Sequence, residues 1–159
     1  MAETNANAAL IERFYSAFAR RDVEAMLACY LSDVAFEDPV FGELSGAQVR
    51  AMWRMLNARA TDLAIEFGAV AATDRVGSAH WEARYTYTGS GRPVHNCIDA
   101  SFEFRDGLIA RHVDRFSLWR WAAMALGGTG ALLGWLPPMR SAIRARAAKG
   151  LAAYMAANP

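Results

Sequence analysis

The sequence predicts an α+β fold in which N-terminal helices cover one face of a curved antiparallel sheet and a further helical segment follows. Apolar residues recur at helical spacing in the first third of the chain, then switch to alternating runs between residues 62 and 116, and become helical again beyond Phe116. Helices first and a meander second is the α+β pattern. A length of 159 residues suffices for one domain with a core, and a composition 54% hydrophobic and 21% charged excludes extensive disorder.

Leu10, Ile11, Phe14, Tyr15 and Phe18 fall at the i, i+3, i+4, i+7 positions of a first helix over residues 8–19. Asp22 is a helix-capping residue followed by an acidic first turn, and predicts a short second helix to about Tyr30. Val34 to Asp38 alternates and stops at Pro39, as a short strand does. Ser45 can cap a third helix over residues 46–58, with Val49, Met52, Trp53 and Leu56 on one side. Four runs then follow, at 62–72, 76–88, 92–104 and 108–116, divided by Thr73-Asp74, Gly89-Ser90-Gly91 and Arg105-Asp106-Gly107. Loops this short between long runs join antiparallel neighbours.

Residues 1–118 form the domain and residues 119–159 a helical extension that packs on it or on a partner subunit, with residues 119–137 equally open to a lid over the mouth of a cavity. Leu118, Trp119, Trp121 and Met124 belong to a short helix ending at Gly127-Gly128, a Gly-rich apolar loop comes next, and Pro138 starts a last helix. There Ile143, Ala147, Leu151 and Tyr154 make an apolar stripe, while Arg140, Arg144, Arg146 and Lys149 stay wet. Trp121 to Met139 carries no charge, yet its four glycines and Pro137-Pro138 would interrupt a membrane helix, so no span is expected.

A formal charge of +1 creates no field that would draw in a phosphate backbone, so no nucleic-acid partner is expected. The two cysteines, Cys29 and Cys97, fit neither a zinc spacing nor a disulfide framework and read as buried or half-buried small hydrophobes. The first five residues have neither the basic nor the apolar region of a secretory leader, which makes the cytoplasm the expected location.

Because strand side chains alternate between faces, the long runs divide by parity. One face holds Trp81, Ala83, Tyr85 and Tyr87, then Asn96, Ile98, Ala100, Phe102 and Phe104, then Leu108, Ala110, His112, Asp114 and Phe116. The other holds His80, Glu82, Arg84 and Thr86, then His95, Cys97, Asp99, Ser101 and Glu103, then Ile109, Arg111, Val113 and Arg115, an outer surface of mixed charge. On the apolar face the exceptions are Asn96, His112 and Asp114, and a buried imidazole or carboxylate is costly unless partnered. His112 and Asp114 lie at i and i+2, about 7 Å apart by strand rise, close enough to share a water or ligand. Asp38 alternates with Phe36 and is a second acid of the same kind, although a strand-ending cap uses the same residue. Two carboxylates and an imidazole around one apolar cavity supply the coupled titrations that general acid–base catalysis needs. His112, Asp114 and Asp38 could also ligate a metal, but no helix carries paired histidines at metal spacing, so neither a metal nor another cofactor is expected.

The strings Arg21-Asp22-Val23-Glu24-Ala25 into Tyr30, Phe36-Glu37-Asp38-Pro39, and Phe102 to Ile109 leading to Asp114-Arg115-Phe116 occur in an order that resembles the nuclear transport factor 2-like superfamily. The resemblance covers roughly residues 8 to 118 and implies a cone-shaped, cystatin-like α+β barrel of the kind shared by ketosteroid isomerases, limonene-epoxide hydrolases and SnoaL-like polyketide cyclases. It places Asp38 where an isomerase has its proton-shuttling base, with Phe14 and Ala100 at the two oxyanion-hole donors. It places Asp114 where an epoxide hydrolase activates water and Asp38 where an asparagine helps hold that water, with Trp81 and Ala83 at the arginine and second aspartate. Asp114 beside His112 is most similar to the single acid of a SnoaL-like cyclase.

The expected activity is therefore isomerisation, cyclisation or water addition on a small hydrophobic molecule. Asp114, His112 and Asp38 are the catalytic candidates, and Trp81, Tyr85, Asn96, Ile98, Trp53, Phe36, Phe116, Tyr30 and Phe14 the substrate-binding ones. A non-catalytic binding module for a hydrophobic ligand is the alternative. The resemblance also implies a homodimer through the outer sheet face.

Overall fold

The computed structural model describes residues 5–159; residues 1–4, most of the stretch read for a leader, lie outside the described residues. The first helix, α1 (Ala6–Ala19), is capped by the Asn5 side chain, which accepts from the backbone N–H groups of Asn7 and Ala8. Its apolar face, from Leu10 to Phe18, is buried as the spacing predicts. Asp22 caps α2 (Val23–Leu27) by accepting from Ala25 N–H, but α2 stops short of Tyr30, because β1 (Tyr30–Asp38) already begins there. The sequence pattern did not reveal β2 (Gly42–Ser45), a short strand that pairs antiparallel with β1. Ser45 does not cap α3 (Ala47–Arg59). Gly46 holds the N-cap position at φ +50, a backbone state that favours glycine, while the Ser45 N–H donates to Gln48 Oε1.

The four alternating runs are β3 (Ala64–Ala72), β4 (Val76–Tyr87), β5 (Arg92–Arg105) and β6 (Leu108–Arg115). Together with β1 and β2 they form one curved, unclosed sheet in the order β2-β1-β6-β5-β4-β3. Neighbours are antiparallel except for β1 and β6, whose parallel pairing sets Phe36 beside His112. On β5 burial alternates from Val94 to Phe102 without a break. On β6 the parity division fails at the start of the strand. A bulge between the pairs Glu103–Arg111 and Phe104–Ile109 reverses the phase, so Ile109 is fully buried where Leu108 and Ala110 were expected, and those two are half-buried. Beyond the bulge His112 and Asp114 are buried as the parity predicts, while Val113, assigned to the outer surface, is buried as well.

The apolar stretch after Phe116 is more helical than expected. It contains α4 (Leu118–Leu126), α5 (Gly128–Leu133) in place of the Gly-rich loop, and α6 (Pro137–Ala157). Gly127, at φ +69, ends α4 and opens α5. Leu151 of α6 joins the main core, while Ile143 packs with Leu118, Trp121, Ala122, Ala125 and Val94 in a second cluster. Burying large side chains of this type contributes about 1.5–3 kcal/mol each, which anchors the extension to the domain in the single chain. No described helix is long and apolar enough to cross a membrane.

Candidate active site

Inward alternation on β6 and the parallel register with β1 bring Tyr30, His112 and Asp114 into one buried line of hydrogen bonds. Trp53 of α3 donates its indole N–H to the Tyr30 hydroxyl oxygen at 3.0 Å, and that hydroxyl lies 2.8 Å from His112 Nδ1. The other imidazole nitrogen, Nε2, lies 2.9 Å from Asp114 Oδ1, which also accepts from the Trp81 indole N–H at 3.2 Å. An indole can only donate, so Tyr30 accepts from Trp53 and spends its own proton on Nδ1; Nε2 then carries the imidazole hydrogen and gives it to Asp114. With His112 in this tautomer each of the four contacts pairs one donor with one acceptor. The imidazole is clamped between rings, stacked on Trp53 with centroids 6.2 Å apart and met edge-on by Phe14 and Phe36.

Asp114 lines a cavity of about 670 Å³. Its second oxygen, Oδ2, has no hydrogen-bond partner among the described residues. Asp38 faces the same cavity from the end of β1. Its Oδ1 accepts the backbone N–H groups of Val40 and Phe41 at 2.9 and 2.5 Å, the turn that leads into β2. Burial, reinforced by the nearby Asp114 charge, pushes the Asp38 carboxyl up to about 7 against the pull of those two amides. Asn96, opposite Ala83 on the sheet, also lines the cavity, and its side chain makes no hydrogen bond among the described residues. A quieter oddity is Tyr15, whose hydroxyl is buried with no partner among the described residues and whose pKa is driven well up by burial and by Asp114.

The SnoaL-like domain family matches residues 11–112. The chain belongs to that family. No curated protein matches it. Among solved structures it is similar to an NTF2-like protein of unknown function from Burkholderia pseudomallei K96243, at 19% identity over 77% of this chain and 98% of that one, with a TM-score of 0.67. It is also similar to a proposed polyketide cyclase from Xanthomonas campestris pv. campestris, at 25% identity over 76% and 96% of the two chains, TM-score 0.64. An LEH-like epoxide hydrolase of M. tuberculosis matches at 19% identity over 81% and 96%, TM-score 0.62. The family match ends before Asp114, so it carries the fold and not that residue's role.

Of the residues singled out in the sequence, Asp38, Asp114, Phe36, Trp53, Trp81, Tyr85, Asn96, Ile98 and Phe116 line the cavity. Phe14, Tyr30 and His112 do not. Phe14 and Tyr30, expected to touch a substrate, sit behind the cavity wall packed against the imidazole, and His112 reaches the cavity only through Asp114. Residues 119–137, which the sequence leaves open as lid, dimer contact or core, supply part of the wall together with α6: Trp121, Leu126, Met139 and Ile143 close one side, and Trp121 donates its indole N–H to the Tyr85 hydroxyl at 2.9 Å. Arg146 and Lys149, read from the sequence as a wet helix face, are exposed and also border the cavity. The alternation of apolar and basic residues in α6 could have flagged the helix as a wall with a polar rim, but periodicity does not say against what a stripe packs.

Proposed function

We propose that this SnoaL-like protein is a small-molecule enzyme in which Asp114 moves a proton on a hydrophobic substrate. The observation that carries it is the asymmetry of one carboxylate: Oδ1 is occupied by two N–H donors, and Oδ2 is left for whatever enters the cavity. His112 is a positioning residue that holds Asp114 and its charge through a fixed tautomer. Asp38, titrating near neutrality on the same cavity, is the second acid–base or the group that holds a water. Trp53, Trp81, Tyr85 and Phe116 exclude solvent, and Asn96 offers an unpaired amide to orient a polar group of the substrate. Trp81 gives Asp114 a neutral donor at the position where the epoxide-hydrolase resemblance has an arginine.

Isomerisation, cyclisation and epoxide opening all need a positioned acid–base group in a desolvated pocket, and relatives named for polyketide cyclisation and epoxide hydrolysis support that class. Proton transfer between carboxylates and substrate requires no metal or organic cofactor. A cytoplasmic homodimer belongs to the same proposal, and sedimentation of the purified chain checks the dimer.

Asp114→Asn tests the assignment. An amide oxygen can still accept from Trp81 and His112, so the fold is kept while the proton acceptor is lost. Turnover of an identified substrate is expected to fall by roughly 10²–10⁴-fold; unchanged turnover overturns the role. Native mass spectrometry before and after incubation separates conversion from simple retention of a ligand by a binding module.

A further inference from the structure

We propose a second site, separate from the cavity, in which Glu82, His95 and Cys97 on the outer face of β4 and β5 bind a divalent transition metal of the zinc type. The sheet register assembles it. Glu82 lies directly opposite Cys97, and His95 precedes Cys97 by two residues, so all three side chains leave the same face of the sheet. Their donor atoms lie within 4.8 Å of one another. His95 Nε2 is 2.7 Å from Glu82 Oε2 and 3.8 Å from Cys97 Sγ.

The 2.7 Å imidazole–carboxylate contact is a charge-assisted hydrogen bond in the metal-free chain, and the 3.8 Å approach of the sulfur is close to the spacing of two ligands on one metal. With bonds of about 2.3 Å to sulfur and about 2.1 Å to nitrogen or oxygen, the ligand atoms of a tetrahedral centre stand roughly 3.4–3.6 Å apart. The imidazole and sulfur are already near that spacing, and the imidazole–carboxylate contact has to open by less than about 1 Å. Cys97, expected to be buried or half-buried, is instead exposed and free, with a side chain in reach of an incoming ion. A further imidazole steadies Glu82 from behind: His80 Nε2 lies 3.3 Å from Glu82 Oε1 while its Nδ1 is 2.9 Å from Asp99. Outer partners of this kind orient a ligating carboxylate. Of the chain's three histidines, two gather here. The opposing charge is Arg84, 3.7 Å from Glu82 but also 3.4 Å from Glu66, an exposed arm able to turn toward Glu66 when the ion arrives.

A nitrogen, sulfur and carboxylate donor set selects borderline-soft ions over calcium or magnesium. The fourth position is left to water. Binding removes the thiol proton, so occupancy rises with pH. Cysteine spacing along the sequence could not show this site, because its ligands meet across strands. A dimer built across the outer sheet face covers these ligands, so metal binding and that association meet on one surface.

The test titrates the full chain, first stripped with a chelator, with cobalt(II) alone and then with zinc. Saturable binding of one cobalt per chain is expected, with a near-ultraviolet sulfur-to-cobalt charge-transfer band that zinc abolishes by displacement. Cys97→Ser should lose the band, and His95→Ala and Glu82→Gln should each weaken cobalt binding at least about ten-fold. Asp114→Asn, at the cavity, should leave the titration unchanged. No saturable binding, or affinity indifferent to all three outer-face substitutions in variants whose circular dichroism matches the parent, overturns the site.

Discussion

The hydroxyl of Tyr30 stands 2.8 Å from Nδ1 of His112, and because Trp53 already donates to that hydroxyl, the contact decides which imidazole nitrogen bears the proton. The consequence runs two residues further along β6, where Nε2–H points at the Asp114 carboxylate. Nitrogen-15 NMR of the imidazole should find Nδ1 as the acceptor nitrogen and Nε2 protonated. Tyr30→Phe leaves the Trp53 N–H and His112 Nδ1 both buried without partners, which costs about 1–3 kcal/mol of stability in urea unfolding. Turnover should fall as well, since the ring is then free to take the tautomer that presents no proton to Asp114. A protonated Nδ1 in the parent, or a Tyr30→Phe variant as stable as the parent, would contradict the line of hydrogen bonds.

Asp38 makes stability depend on pH in the opposite sense to an ion-paired carboxylate. In the unfolded chain its carboxyl titrates near 3.8, and in the folded chain burial and Asp114 move it to about 7. Between those values the folded protein holds a proton that the unfolded chain has released. Its contribution is therefore greatest at low pH, declines as pH rises from about 4 through about 7, and is level above that. Asp38→Asn keeps an oxygen for the amides of Val40 and Phe41 and removes the titration. Parent minus variant unfolding free energy should drop by on the order of 1–2 kcal/mol across this window, with screening on the open side of Asp38 allowed for. Activity should lose its alkaline limb near pH 7 in the same variant, because the neutral carboxyl is the form that donates. A flat difference between pH 4 and 8 would remove the second acid.

Parity alone located His112 and Asp114, since on a two-faced sheet a polar residue in phase with Phe102 and Trp81 has nowhere to point but inward. The same rule failed at Leu108 and Ala110, because a bulge inserts one residue without leaving a mark in the hydrophobic pattern. Tyr30 was visible as an aromatic but not as the residue that sets a tautomer, for that role depends on a parallel pairing of β1 with β6 across most of the chain. Nor could the spacing of Trp121 and Ile143 show which wall they complete; helical periodicity identifies a buried stripe and is silent about its partner. Glu82, His95 and Cys97 were sorted correctly to the outer face as separate residues, and only the register of β4 against β5 makes them neighbours.

Gly130 is where α5 is locked onto α4. A Cβ there would stand 1.9 Å from the Ala122 carbonyl oxygen and 2.4 Å from its carbon, both backbone atoms that cannot turn aside. Gly130→Ala therefore forces the two helices apart and should lower stability by about 1–3 kcal/mol or more, seen as a fall in Tm. Gly128→Ala, in the same helix with open space at its Cβ, is the control and should leave Tm within a degree or two of the parent. Equal effects from the two would mean that the close crossing of α4 and α5 is wrong.

Trp121 separates the role of the extension from that of the carboxylates. Its indole N–H donates to the Tyr85 hydroxyl at 2.9 Å, its ring meets Tyr87 edge-on at 5.4 Å, and both Trp121 and Tyr85 line the cavity, while the hydrogen bonds to Asp114 come from Trp81 and His112. Trp121→Phe keeps an aromatic wall but removes the donor and part of the ring, at a cost of about 1–2 kcal/mol in stability. A looser wall weakens the hold on substrate before it alters proton transfer, so KM for a converted substrate should rise several-fold with kcat nearly unchanged, the reverse of the pattern expected for Asp114→Asn. If Trp121→Phe instead lowered kcat and left KM alone, α4 would have to reach the reacting atoms, and Asp114 could not be the whole of the acid–base apparatus on that side of the cavity.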